Sequence, residues 1–399
     1  MTADPSRAAE MAARASYGRL LAYLSARTHD IALAEDALAE AFLAAIRHWP
    51  DRGVPANPDA WLLTAARNRL TDRQRHQTRF PTVSEIPDMP ADQPAPNILP
   101  DERLSLLMVC AHPAIAADLH IPLMLQTVLG LDAATIARLF MTSPTALSKR
   151  LVRAKAKIRD AAIPFRIPDP DSLPARSAAI LEAVYALHAH DWLDPGDKLG
   201  DEALYLADLL ATLMPDSAEA AGLAALIAFS HARAAARLRG GMLIATDAQD
   251  PALWDDRLIA YGNRQLARAY RQGAIGRYQL EAAIEAAHLA RKETGGTDWQ
   301  ALEKLYFALN RIHATAGSLV AQAMVTARLH GPAAGLAALT AAEGAISPGF
   351  QPLWAARASL HAELGQTAPA AACYDKAISL ATDTPTIAML TVRRAALPG

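Results

Sequence analysis

The sequence predicts an all-α fold, built as helical units joined by proline-rich linkers. Three observations carry that reading. Apolar residues make up 52% of the 399 but aromatics only 6%, with Ala and Leu supplying much of the apolar share. Ala and Leu lose little entropy in a helix, whereas β-branched and aromatic residues favour sheets. Apolar positions recur at three- and four-residue steps, the period of one helix face. Proline clusters between these periodic stretches, in residues 80–100 and 164–174.

The same composition excludes several classes. The apolar content is too high for a disordered chain. The longest uncharged apolar run, Ala220 to Ser230, falls far short of the ~20 residues a membrane span needs. The opening MTADPSRAAEMAAR lacks the apolar core of a signal peptide, so a cytoplasmic protein with no membrane partner is expected. Cys110 and Cys373 are too far apart for a metal knuckle and build no disulfide framework. The net charge of −2 is uneven: residues 1–167 hold 20 Lys and Arg against 17 Asp and Glu, a balance of +3, and residues 168–399 balance at −5. The cations of the first part form two groups. Arg67, Arg69, Arg73, Arg75 and Arg79 make one, and Lys149, Arg150, Arg153, Lys155, Lys157 and Arg159 the other. Two basic helices suit two contacts with a polyanion, although solvated helix faces would give the same pattern.

In the first unit (1–79), Ile31, Ala34, Leu38, Phe42, Ala45 and Trp49 form an apolar stripe, with Asp36 and Glu40 four apart on another face. After the loop PDRGVPANP a second helix is expected near Asp59, burying Leu62, Ala65 or Ala66, and Leu70 and keeping its arginines outside that stripe. Residues 80–100 hold six prolines, which remove backbone donors and fix φ, so an extended linker is expected.

The next unit (101–163) reads as a helix-turn-helix. Asp132 caps a helix burying Ile136, Leu139 and Phe140. Met141 and Thr142 turn the chain, and Ser143 caps the next helix with Pro144 at its first position. That helix buries Leu147, Leu151, Ala154 and Ile158, and its other faces are expected to carry the six cations. The N-terminal part of such a second helix enters the DNA major groove, which places Ser148, Lys149, Val152 and Arg153 near bases or phosphates. Ser143 and Thr145, at the helix start, could hold a phosphate. After a second linker (164–174), residues 175–399 form a large helical region, with a weaker break near Pro195 to Gly200.

The order of these units resembles a bacterial extracytoplasmic-function sigma factor, of the sigma-70 family. LAEDALAEAFLAAIRHWP resembles region 2.2, NPDAWLLTAARNRLTDRQR regions 2.3 and 2.4, and LGLDAATIARLFMTSPTALSKRLVRAKAKIR region 4.2. CAHPAIAADLHIPLMLQTVLGL, TDWQALEKLYFAL, HGPAAGLAAL and GRYQLEAAIEAAH resemble the subgroup with a C-terminal tetratricopeptide-like domain. The resemblance implies core RNA polymerase as a partner, through its β′ clamp helices and β flap, with Asp36, Glu40 and Phe42 at the interface. It implies promoter DNA as the other partner. Trp61, Arg67, Asn68, Arg69, Arg73 and Arg75 would face the −10 element, and the loop from Asp51 to Pro58 would capture a flipped base. Ser143, Thr145, Ser148, Lys149, Arg150, Val152 and Arg153 would face the −35 element. No cofactor, metal or catalytic residue is implied.

The sequence departs from the family at Ala39, where Gln is usual, at Ala146, where many relatives have Thr, and at His188, Ala189 and His190, where an Asn-Glu-Gly run is usual. A run usually Asn-Arg-Ala-Val-Ala corresponds to Ala321, Gln322, Ala323, Met324 and Val325. Residues 354–380 resemble one tetratricopeptide repeat, with Gly365 at a close helix approach and Ala370, Tyr374 and Ala377 as packing positions. Such a surface usually holds a peptide or protein partner. His188, His190 and Asp191 are metal-ligating types, but residues two apart on a helix do not share a face. There is no phosphate-binding glycine loop, nucleophile elbow or HExxH. Two alternatives to a sigma factor remain: a helix-turn-helix regulator that does not bind core polymerase, and a repeat-protein adaptor.

Overall fold

The computed structural model describes residues 5–78, 101–140, 142–193 and 199–398. The linker expected at 80–100 and most of the break at 195–200 lie outside them. The described chain is all-α apart from one two-stranded hairpin, and it forms two compact units, Met1–Val184 and Tyr185–Gly399.

The first unit contains α1 (Pro5–Thr28), α2 (Ile31–Arg52), α3 (Pro58–Thr78), α4 (Arg103–Cys110), α5 (His120–Leu129), α6 (Ala133–Leu139), α7 (Pro144–Asp160) and the first half of α8 (Leu173–Leu193). Two of the caps, Asp132 and Ser143, are those the sequence suggests, and Asp30 is a third. Asp30 accepts from the Leu33 amide, Asp132 from the Ala134 and Thr135 amides, and Ser143 from the Ala146 amide ahead of Pro144. These side chains satisfy donors that the first helical turn leaves unpaired. The expected stripe of α2 is buried at Ile31, Ala34, Leu38, Ala45 and Trp49, with Phe42 half-buried. The helix runs through Pro50 to Arg52, three residues beyond the expected end, because a proline near a C-terminus breaks only one ladder bond.

Helix α1 packs on α2 and α3 on one side and on α4 and α5 on the other. The α1–α5 approach is close: a Cβ on Gly18 would fall on the backbone of Val128. The region 2-like and region 4-like helices therefore share one packed unit, and α2 also meets α7.

The second unit continues with α9 (Leu199–Leu213), α10 (Ala218–Ala232), α11 (Asp256–Arg271), α12 (Arg277–Leu289), α13 (Arg291–Thr294), α14 (Trp299–Ile312), α15 (Ala316–His330), α16 (Pro332–Ala341), α17 (Gln351–Glu363), α18 (Thr367–Leu380) and α19 (Thr384–Ala395). The uncharged run Ala220 to Ser230 lies in α10 and is buried throughout. Helices α9, α11 and α12 surround it, which explains why it is apolar on every face. Later helices pack on their neighbours, α14 on α15, α15 on α16 and α17 on α18.

The antiparallel hairpin, β1 (Leu238–Arg239) and β2 (Met242–Leu243), was not read from the sequence, because two-residue strands carry no periodicity. Helix α19 returns to pack against β2. Gly365 departs from its expected role. It lies in the turn between α17 and α18 with φ +70°, and a Cβ there would meet nothing within 4 Å. Its backbone conformation, not a close approach, calls for glycine. Ala370, Tyr374 and Ala377 are buried, as expected.

Candidate nucleic-acid interface

Helix α2 presents one face to solvent. Asp36, Ala39, Leu43, Ile46 and Arg47 lie along it, and Leu43 and Ile46 are half exposed at 53% and 51%. Glu40 shares the face and pairs with Arg69 of α3 at 3.3 Å. Phe42 differs from its expected interface position. It is half-buried, packed on the core with its ring stacked 6.5 Å from Tyr17. Leu43 and Ile46 were missed by sequence reasoning, although a signal existed: both are apolar yet out of phase with the buried stripe.

Helix α3 starts where Asn57 accepts from the Ala60 amide, with Pro58 next. Asp59 ties this end to α1, accepting from Ser16 and pairing with Arg19. Leu62 and Ala66 face the core; Ala65 and Leu70 pack partly against it. Trp61 lies at the boundary, half-buried and edge-on to Trp49 at 5.6 Å and to His48 at 6.5 Å. Arg67 and Asn68 are exposed, while Arg69 is engaged by Glu40. The side chains of Arg73 and Arg75 lie outside the described residues.

Helices α6 and α7 pack as a pair about a turn. Ile136 is buried under them and Phe140 half-buried; the side chain of Leu139 and all of Met141 lie outside the described residues. Helix α7 buries Leu147, Leu151, Ala154 and Ile158 and exposes Thr145, Ser148, Lys149, Val152 and Arg153. Val152, at 63% exposure, is an apolar side chain set among cations. Arg150 pairs with Asp118, and Lys157 donates to the Ala114 carbonyl at 2.5 Å.

One cation departs from expectation. Lys155 is buried, its side chain only 6% exposed, and its ammonium donates to Glu35 Oε1 of α2 at 2.6 Å. It falls in the Leu147–Leu151–Ala154–Ile158 stripe, and the Glu35 carboxylate is what makes that burial tolerable. Burial pushes the Glu35 carboxyl above its ordinary range, against the lowering effect of Lys155. Arg159 adds a longer contact, 3.7 Å to Asp30. The ion pair thus joins α2 to α7.

The comparisons with known proteins match this arrangement. The sigma-70 region 2 family matches residues 13–80, which span α2 and α3. The chain is 30% identical over 162 residues to a probable RNA polymerase sigma factor, RfaY, of Xanthomonas campestris pv. campestris, covering 36% of this chain and 40% of that protein. Residues 13–80 thus carry a sigma-70 region 2. Region 2 and this partial relative support a role in transcription initiation. The chain is also 33% identical over 382 residues to the protein R00370 of Rhizobium meliloti, covering 92% of this chain and 89% of that one. A family of unknown function, DUF6596, matches residues 176–270. No solved structure matches.

Among the described residues, no group of three or more His, Cys, Asp or Glu could hold a metal ion. His190 and Asp191 of the metal reading have no described side chains. No described helix is long and apolar enough to cross a membrane.

Proposed function

We propose that this chain is a sigma factor of the extracytoplasmic-function type, reads the −10 element with α3 and the −35 element with α7, and is regulated by its C-terminal helical region. The observation that carries the reading is the outward face of α7. Ser148, Lys149, Val152 and Arg153 are exposed on the half of the helix that a helix-turn-helix inserts into the major groove. Cations there neutralise phosphates, and an apolar side chain such as Val152 can meet a thymine methyl. On α2, the exposed face with Asp36, Leu43 and Ile46 suits the β′ clamp helices. On α3, Arg67 and Asn68 suit DNA, and Trp61 suits a role at the edge of a melted duplex.

This reading requires the first unit to open. The −35 and −10 elements are separate stretches of one duplex, which rises ~3.4 Å per base pair, so each helical turn between them adds about 34 Å. Helices α3 and α7 both pack on α2, and packed helices lie about 8–10 Å apart, so the two readers sit within roughly 20 Å of one another. A 21-residue segment such as 80–100 can reach at most about 70 Å when extended, which lets the two readers part.

The test is co-elution of the full chain with core RNA polymerase, followed by promoter-directed transcription. An Asp36→Arg, Glu40→Arg double variant is expected to lose co-elution. Lys149→Glu with Arg153→Glu is expected to keep it and lose transcription at least ~10-fold, as ~1.4 kcal/mol of lost DNA contact would produce. Co-elution that survives the α2 variant would overturn the placing of the interface. Removal of residues 194–399, a cut that keeps α8 whole, is expected to change transcription; unchanged output would sink the regulatory part.

A further inference from the structure

In the second unit, the second half of α8 with α10, α12, α14 and α15 lines an open cavity of about 470 Å³. That lies within the range of small-molecule sites, ~300–1,000 Å³. Its wall is built in two layers. Leu226, Ile284, Leu309 and the rings of Tyr185 and Tyr306 give apolar faces. Between them sit buried polar groups with incomplete hydrogen bonding.

His188 is 7% exposed, and its Nδ1 has no partner among the described residues. Arg233 is 4% exposed. Its Nη2 binds Glu285 at 2.5 Å and its Nη1 binds Thr246 Oγ1 at 3.2 Å, but its Nε has no partner. An unmet buried polar atom costs about 1–3 kcal/mol, so two of them on side chains that line one cavity are not a neutral feature of packing.

The charges in the wall say which ligand suits them. Glu285 is matched by Arg233, and Glu281 by Arg277 at 2.8 Å. An anion entering would meet Glu281 and Glu285. A cation would meet Arg233, with Arg237 behind it on Ser230. Fixed ion pairs with spare lone pairs and N–H groups instead suit a neutral molecule that both donates and accepts. Hydroxyl groups do both. The tyrosine rings and aliphatic side chains suit the apolar C–H face of the same molecule. Burial holds the His188 imidazole neutral, pushed down to about 4 with help from Arg237, so its ring too can donate on one nitrogen and accept on the other.

We infer that this cavity is a binding site for a small, uncharged, polyhydroxylated molecule of monosaccharide size, held by His188, Arg233, Glu281 and Glu285. The inference goes beyond the regulatory role proposed for the C-terminal region, and its test reads binding alone, so it stands or falls apart from any effect on transcription.

The test uses the full-length protein and saturation-transfer NMR, with D-glucose, D-galactose, D-ribose and myo-inositol as probes, each up to about 10 mM, the weak end of specific binding. Gluconate and glucosamine serve as the anionic and cationic counterparts. At least one neutral probe is expected to give saturable transfer, with both charged probes at least tenfold weaker. Gly317→Leu should fill the cavity and abolish transfer without unfolding the chain, since a Cβ at Gly317 meets only Thr315 Oγ1, at 3.8 Å. His188→Leu, which removes a ligand contact without filling space, should weaken binding at least tenfold. The inference is overturned if no neutral probe binds, if binding persists in a folded Gly317→Leu protein, or if a charged probe binds as well as its neutral counterpart.

Discussion

His188 shows how much a single side chain can be misread from sequence. It stands beside His190 and Asp191, which invites a metal reading, but its structural partners come from residues 40 or more positions away. Tyr185 is the local exception, its ring 6.5 Å from the imidazole. Burial and Arg237 hold it neutral, with Arg233 and His231 adding and Glu285 opposing. The consequence for stability has a definite sign. Above the ordinary histidine value of about 6.5 neither state binds the proton; below it the unfolded chain does and the folded chain resists until about pH 4. Stability should therefore fall on acidification by up to about 3 kcal/mol between pH 6.5 and 4 from this group. Urea midpoints of the full chain, compared with His188→Gln across that range, check it; parallel pH profiles would show that His188 is not responsible. Cys110 behaves as the opposite case, a group the sequence flagged as chemically bland. Its thiol is buried against Thr127 Oγ1 at 3.6 Å and pushed up to about 12 by burial, so it should not react with alkylating reagents in the folded chain.

At the scale of elements, caps and stripes were legible because they are local. Asp132 and Ser143 cap the helices they precede, and the Ile31-to-Trp49 stripe faces inward. What was not legible is pairing between distant helices. Nothing near Lys155 announces Glu35, 120 positions earlier, although a cation lying in an apolar stripe was a signal. The spacing of α2 does put Phe42 in the inward stripe and Leu43 and Ile46 outside it, but it does not name Tyr17 as the partner of Phe42. The α2–α7 contact makes a clean test. Lys155→Met should raise amide hydrogen exchange in α2 and α7, because it leaves Glu35 buried without its partner, a loss of up to about 3–5 kcal/mol. Adding Glu35→Leu should restore most of the protection, as an apolar pair of similar size often replaces a buried ion pair at little cost. Equal exchange in the single and double variants would mean that the pair contributes nothing to the contact. Gly18 tests the other seam. Gly18→Leu must push α5 away from α1 and should cost about 1–3 kcal/mol, read as a lower melting temperature.

At the scale of the whole molecule, the order of helical pieces along the sequence was enough to point to sigma-70 region 2, which matches residues 13–80, since each piece is short and its position in the series is informative. The packing of these pieces into a shared first unit was not, because it rests on α1 touching four other helices at once. If α3 and α7 must part to reach two promoter elements, dyes at Arg67→Cys and Lys149→Cys should show high energy transfer in the free protein and lower transfer with core polymerase. Both native cysteines are buried, which leaves the introduced pair as the reactive thiols. Transfer that does not change on binding would mean that the unit stays closed. The second unit carries a different lesson in the return of α19 to β2. In an open array each repeat touches only its neighbours, stability adds up repeat by repeat, and ends fray independently. Here a contact spans about 140 positions of sequence, so loop-closure entropy has to be met before the last helix is rewarded. Folding of this half should be slow for a helical protein and cooperative across its length, and loss of the final helix should be felt first at the hairpin near Met242, far upstream in the chain.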